Sequence, residues 1–141
     1  MKIFIDTNVI LDVLENREPY VYTAKQLMIL CEQKKIHGFV STLTFTNIIY
    51  IMRKHLDPDK IEYLYKSLSE IFNFTSLTAD DMANAVGFHW ADYEDALQAA
   101  SAQRIGADFI ITRNTKDFNN EVVMCMMPVD FLENIANNQE L

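Results

Sequence analysis

Short apolar runs alternate along this chain with amphipathic stretches, and turn or capping residues separate them. Lys2-Ile3-Phe4-Ile5 is β-branched and aromatic, which predicts a short buried strand. Asp6-Thr7-Asn8 ends it, and any of the three suits the cap of a following helix. Val9, Ile10, Val13 and Leu14 fall on one face of that helix. Asn16-Arg17-Glu18-Pro19 is a break, and Pro19 suits the first turn of a second helix running to about Lys35. Its inner stripe is Ala24, Leu27, Met28, Leu30 and Cys31. Gly38-Phe39-Val40-Ser41 reads as the second strand. Thr42 or Thr44 opens a third helix, which carries Ile48, Ile49, Ile51 and Met52. It closes on Arg53-Lys54-His55, where cations complement the helix dipole. Asp57-Pro58 starts a fourth, with Ile61, Leu64, Tyr65, Leu68 and Ile71 inside.

The second half keeps the alternation. Phe72 to Leu77 patterns as a strand, and Thr78-Ala79-Asp80-Asp81 begins a short helix through about Phe88. Asp92 to about Gly106 is the next helix, where Ala96, Ala99, Ala100 and Ala102 make a small-residue face for close packing. Gly106 is a helix stop. Asp108 to Thr112 and Val122 to Met126 read as strands, and Pro128 to Leu132 begins a terminal helical turn. Strands alternating with helices imply a largely parallel sheet with helices on both faces. In such sheets ligands gather beyond the carboxyl ends of the strands. Asp6 and Thr112-Arg113-Asn114 both lie just past such ends.

With 141 residues, half of them apolar, the chain predicts one domain over residues 1–136 and a polar tail over 137–141. Twelve basic against twenty acidic side chains give a net charge of −8, so a general basic footprint for nucleic acid is absent. A soluble acidic surface explains most of the excess. The acids can also be concentrated in a metal pocket, with local cations left to hold a substrate. Cys31 and Cys125 sit in apolar runs and read as reduced core residues of a cytoplasmic protein. His37, His55 and His89 are scattered, and no Cys/His pair has zinc spacing. An acid at position 6 interrupts the start before a signal-like apolar core forms, and no apolar run approaches a membrane span.

The acids then change the picture. Asp6 alone is most simply a helix cap. Asp92 and Asp95, three apart, share a helix face, while Glu94 points elsewhere. Acids in a first helical turn also stabilise the helix by themselves. Asp117 suits the cap of a short turn. Each plain reading is good singly. Together they are less comfortable, because clustered like charges cost free energy unless a cation offsets them. A hard dication with oxygen ligands would do so, and Mg2+ takes few carboxylates, keeps waters and often shares its shell with phosphate.

Three pieces in this order resemble the PIN domain family, whose best-known bacterial members are the VapC toxins. They are Ile5-Asp6-Thr7-Asn8-Val9-Ile10, Asp95-Ala96-Leu97-Gln98-Ala99-Ala100-Ser101-Ala102 and Ile111-Thr112-Arg113-Asn114-Thr115-Lys116-Asp117-Phe118. The resemblance covers nearly the whole length. It implies an α/β fold, a three-layer α/β/α sandwich around a mainly parallel sheet, with a divalent-metal nuclease site and RNA as substrate. By position it implies Asp6, Asp95 and Asp117 as metal-binding acids, with Mg2+ or Mn2+ as cofactor. Thr112 and Asn114 match the supporting polar pair, and Asn8 and Asn47 join the support. The family's remaining acid is normally a Glu early in the helix after the second strand. Here Asn47 stands in its place, able to accept a hydrogen bond but carrying no charge. Asp92, one turn before Asp95, is the candidate to supply the missing carboxylate.

The resemblance further implies in-line hydrolysis leaving a 3′-hydroxyl and a 5′-phosphate, with no side-chain nucleophile. Arg113 and Lys116 are the nearest candidates for phosphate contacts, and solvated loop cations are the plain alternative. A cognate antitoxin and a homodimer are the partners it implies. The apolar run Phe45 to Met52 serves either an interface or the core. Three other readings stand beside this one. A phosphoryl-transfer enzyme of the haloacid-dehalogenase type would want an acid where Asn8 stands. A catalytically weakened or inactive PIN-like binding module is favoured by Asn47. An α/β interaction domain whose acids are only caps would bind no metal.

Overall fold

The structure, a computed structural model, describes residues 1–138. Its centre is a sheet of five strands: β1 (Lys2–Ile5), β2 (His37–Ser41), β3 (Asn73–Thr75), β4 (Phe109–Ile111) and β5 (Cys125–Met126). They lie in the order β3-β2-β1-β4-β5, and every pairing is parallel. Seven helices flank the sheet among the described residues: α1 (Thr7–Leu14), α2 (Val21–Glu32), α3 (Thr42–Ile51), α4 (Pro58–Ile71), α5 (Ala79–Phe88), α6 (Tyr93–Arg104) and α7 (Pro128–Asn137). This is the α/β architecture expected from the alternation of strands and helices.

A central parallel strand is covered on both faces and so reads as an unbroken apolar run. β1 does this with Ile3, Phe4 and Ile5, all fully buried. Its alternation sorts the two cores. Ile3 and Ile5 join Ile111 and the apolar stripes of α1, α2, α4 and α7 on one side. Phe4 and Ile110 point the other way, against Ala99 and Ala102 of α6. The small residues of α6 let it lie close to the sheet, and its Ala96 and Ala100 pack against Ala85 of α5. Gly106, at φ +71°, turns the chain out of α6 toward β4, a conformation that costs glycine least.

Several boundaries differ from expectation. The edge strands β3 and β5 are shorter than the runs Phe72–Leu77 and Val122–Met126, because an edge strand pairs on one side only. α2 begins at Val21, so Pro19 precedes the helix rather than opening it. α3 stops at Ile51, before its cations, yet the Arg53 guanidinium still donates to the Tyr50 carbonyl at 2.7 Å. Tyr65, expected inside α4, is half exposed and stacks beside Phe74. The terminal turn is a full helix, because Phe131 and Ile135 of α7 bury against the larger core. Residues 139–141 of the expected tail lie outside the described residues. No helix among the described residues is long and apolar enough to cross a membrane.

β1 is the point where the strand order reverses. The chain moves from β1 to β2 and β3 on one side, then returns to β4 and β5 on the other. The carboxyl ends of β1 and β4 therefore open a crevice between diverging connections, the place where such sheets bind ligands.

Candidate active site

Asp6 closes β1 and caps α1. Its backbone N–H donates to the Ile111 carbonyl at 3.0 Å, which extends the β1–β4 ladder by one residue. Its Oδ1 accepts the Thr7 N–H at 2.8 Å, and its Oδ2 accepts the Thr112 hydroxyl at 2.8 Å. The Asn8 amide adds longer contacts to Asp6 Oδ2 at 3.5 Å and to Thr112 Oγ1 at 3.4 Å. Thr112 in turn accepts the Asn114 N–H at 3.0 Å. The sequence places Thr112, Asn8 and Asn114 as supports of Asp6, and Thr112 and Asn8 touch it while Asn114 acts through its backbone. All these donors are neutral. Burial raises the Asp6 carboxyl above the usual carboxylate range against the lowering effect of those hydrogen bonds, and the negative charge of Asp92 adds to the rise.

Asp95 arrives from the first turn of α6. It is buried, and Asp92 caps the helix by accepting the Asp95 N–H at 3.1 Å. Burial first, then the charges of Asp6, Asp92, Asp117 and Glu94, push the Asp95 carboxyl up to about 7. One carboxylate thus lies in the field of four others drawn from β1, α6 and the turn after β4. Asp92 spends one oxygen on the cap, and its charge acts on both Asp6 and Asp95.

Glu94 departs from expectation. Adjacent residues on a helix diverge, and that geometry alone sends Glu94 to a different face from Asp95. Instead its Oε1 accepts the Asn47 Nδ2–H at 2.9 Å, from the middle of α3. Partial burial and the charges of Asp6 and Asp92 raise its carboxyl as well. No signal in the local sequence marks this contact, because its partner is 47 residues away.

The downstream turn, Thr115–Asp117, is one turn of 3-10 helix. Lys116, Asp117, Asp92, Trp90 and Asn119 line an open depression of about 350 Å³ beside the acids. Arg113, paired with Lys116 in the sequence reading, is placed differently. Its Nε and Nη2 donate to the buried Asp12 at 2.7 and 3.0 Å, and its guanidinium lies 4.1 Å over the Tyr20 ring. It is a cross-brace between α1 and β4, and Lys116 is the member of the pair that faces the depression. Cys125 on β5 is also near, and burial with the charges of Asp6 and Asp95 pushes its thiol up to about 11. A protonated thiol is no nucleophile, in keeping with its reading as a reduced core residue.

Beneath the acids runs a buried polar chain. Thr7 and Thr44 hydroxyls lie 3.0 Å apart, Ser41 Oγ donates to Thr44 Oγ1 at 3.3 Å, and Gln98 Nε2 donates to Thr44 Oγ1 at 2.8 Å. It ties the starts of α1 and α3 to α6, so the three acid-bearing or acid-holding helices have fixed spacing.

The donor set is all oxygen and suits a hard dication. Among the described residues no three carboxylate, histidine or cysteine side chains stand close enough to enclose an ion unaided. Mg2+ does not ask for that, since it takes one or two carboxylates and retains water. Asp6 and Asp95 are two such carboxylates, and burial first, then the charges of neighbouring acids, raises both.

A family model described as PIN domain matches residues 2–116. Solved structures share the fold at low identity. A toxin–antitoxin complex from Klebsiella pneumoniae has TM-score 0.68 and 24% identity, covering 89% of this chain and 96% of that one. A VapBC complex from nontypeable Haemophilus influenzae has TM-score 0.68 and 17% identity, covering 92% and 99%. A VapC toxin of Mycobacterium tuberculosis described as cleaving the sarcin-ricin loop has TM-score 0.60 and 17% identity, covering 85% and 92%. No curated protein matches the sequence.

Proposed function

This chain belongs to the PIN domain family, and on that premise we propose that it is a divalent-metal-dependent endoribonuclease that hydrolyses RNA phosphodiester bonds. The observation that carries the reading is the pair of buried carboxylates Asp6, whose hydrogen-bond donors are all neutral, and Asp95, which lies in the field of Asp6 and three further acids. Asp6 and Asp95 hold Mg2+ or Mn2+, and Asp117 and Asp92 stand at the rim. When bound, the ion lowers the pKa of a water and offsets charge gathering on the phosphate.

The chain's own residues do the rest. Thr112 and Asn8 fix the rotamer of Asp6, and the α6 cap fixes Asp95. Asp117 orients the attacking water for in-line displacement, which leaves a 3′-hydroxyl and a 5′-phosphate. Lys116 contacts an RNA phosphate in the depression. With one local cation and a net charge of −8, binding is weak and its salt dependence shallow.

The same reading makes the chain the toxin of a toxin–antitoxin pair, acting in the cytoplasm, held by a cognate antitoxin and forming a homodimer. Its support is the shared fold with toxins solved in complexes. A PIN-like module that binds without cutting is the competing reading, and Asn47 is the observation in its favour.

The test is cleavage of a labelled structured RNA pool with Mg2+ or Mn2+ and with EDTA, using parent, Asp6→Asn and Asp95→Asn proteins free of bound inhibitor. Metal-dependent cleavage lost in both variants is expected. No cleavage by the parent moves the assignment to the binding module.

A further inference from the structure

The depression beside the acids has one aromatic wall. Helix α5 ends on His89, whose left-handed backbone at φ +58° turns the chain toward α6 and places Trp90 in the connection between the two helices. Trp90 is the single tryptophan of the chain. It is partly buried, and it packs both against the alanines where α5 meets α6 and against the core around Phe118. The Phe118 ring meets the indole edge to face, with centroids 5.7 Å apart at 81°. Phe88, at the end of α5, lies 5.6 Å away at a tilt of 33°. Two rings from different elements therefore hold the indole in place. The core does not consume it, because Trp90 also lines the open depression of about 350 Å³ with Asp92, Lys116, Asp117 and Asn119. The Asn119 Oδ1 accepts the Glu121 N–H at 2.8 Å, which leaves its Nδ2 as a donor.

We infer that Trp90 is a stacking platform for one unpaired RNA base, which seats the substrate beside the metal-binding acids. A fixed π-face, one cation and one amide donor along a depression that ends at carboxylates complement a single nucleotide. An apolar ligand would meet the charges of Asp92, Lys116 and Asp117 on that rim, and a free anion would meet two carboxylates with one cation to hold it. Stacking asks for no positive charge, so it gives a chain of net charge −8 a second hold on RNA. Every base has a π-face, so the platform tolerates sequence but not a base still covered in a duplex. An indole already held in place loses little freedom on binding. The inference rests on the ribonuclease reading proposed above and names a residue that seats its substrate.

The lone tryptophan is its own reporter. The experiment titrates RNA-free protein with an adenylate hexamer in EDTA at low salt, so that nothing is cut, and follows tryptophan emission. The anisotropy of a dye-labelled hexamer gives the affinity beside it. Emission is expected to fall and to saturate with the binding curve. A hexamer of abasic ribose phosphate is expected to leave emission unchanged and to bind about tenfold more weakly. Trp90→Leu keeps an apolar side chain against Phe118 and removes the π-face. It is expected to lower adenylate affinity about tenfold and to leave abasic affinity alone, whereas Trp90→Phe keeps a ring and loses less. Melting temperatures show that each variant is folded, and the parent's response to the two oligomers stands without them. Emission that ignores a hexamer that binds, or equal adenylate affinity in the parent and a folded Trp90→Leu, overturns this inference and leaves the ribonuclease reading standing. A parent that binds no hexamer by anisotropy, in EDTA or in Mn2+, overturns the RNA reading and this inference with it.

Discussion

Among the described residues four aspartates are buried, and they divide into two pairs. Asp12 and Asp81 each face an arginine. Arg113 reaches Asp12 through Nε and Nη2, and Arg104 Nε reaches both oxygens of Asp81 at 3.0 and 3.1 Å. Asp6 accepts only from neutral donors, and Asp95 lies in the field of Asp6, Asp92, Asp117 and Glu94. The contrast shows in protonation. Burial pushes Asp81 up, but hydrogen bonds and charge from Arg104, with Thr78, outweigh it and hold the carboxyl below the usual range. Burial pushes Asp6 and Asp95 up, and neighbouring acids push further. Similar burial with opposite charge surroundings separates acids that brace the fold from the acids proposed to hold a metal ion. Helix α6 serves both kinds, carrying Asp95 near its start and, at its end, Arg104, the partner of Asp81 on α5.

Exchanging charge for an isosteric amide is the sharpest way to break this division. Asp6→Asn or Asp95→Asn should cut RNA cleavage by more than about 100-fold, beyond the usual cost of losing a supporting group, while the melting temperature in EDTA stays level or rises. Asp81→Ala should do the reverse. It strands Arg104 and removes a capping box, and should cost about 2–3 kcal/mol in urea unfolding, below the range for a fully buried pair because Arg104 is partly exposed. Cleavage per folded molecule should hold. The two loop cations give the smallest effect. Lys116→Ala should weaken RNA binding several-fold and lower the salt slope by about one. Arg113→Ala should leave the salt slope alone and lower stability through Asp12.

Local chemistry made much of this legible in the sequence. The β-branched run at Ile3-Phe4-Ile5, the Thr78–Asp81 capping box and the Asp92 cap are written within a few residues of the elements they make. Asp6 and Thr112 were placed together because strands of a parallel sheet end on one edge. What escaped depends on partners distant in the chain. Arg113 looked like a phosphate contact from its neighbours, but its carboxylate partner is 101 residues away. Glu94 looked outward by helical periodicity, which does not describe where a long side chain goes when an amide from another helix holds it. The edge strands β3 and β5 were overextended because apolar alternation continues where pairing has stopped.

The central claim is that the unpaired acids are held for a cation, and pH exposes it. A carboxyl whose folded-state pKa exceeds its unfolded value binds its proton more tightly when folded. The stability Asp95 contributes is therefore full below 3.8 and is lost as pH rises through about 7. A dication binds the deprotonated form, so its stabilisation grows as that contribution falls. The most direct measurement is thermal unfolding at about pH 5.5 and about pH 7.5, in EDTA and in Mn2+, for parent and Asp95→Asn proteins. The account predicts that the parent in EDTA melts lower at the higher pH, that Mn2+ restores it there and does little at the lower pH, and that Asp95→Asn flattens both responses. A parent whose melting is indifferent to Mn2+, with the same pH dependence as Asp95→Asn, would contradict it.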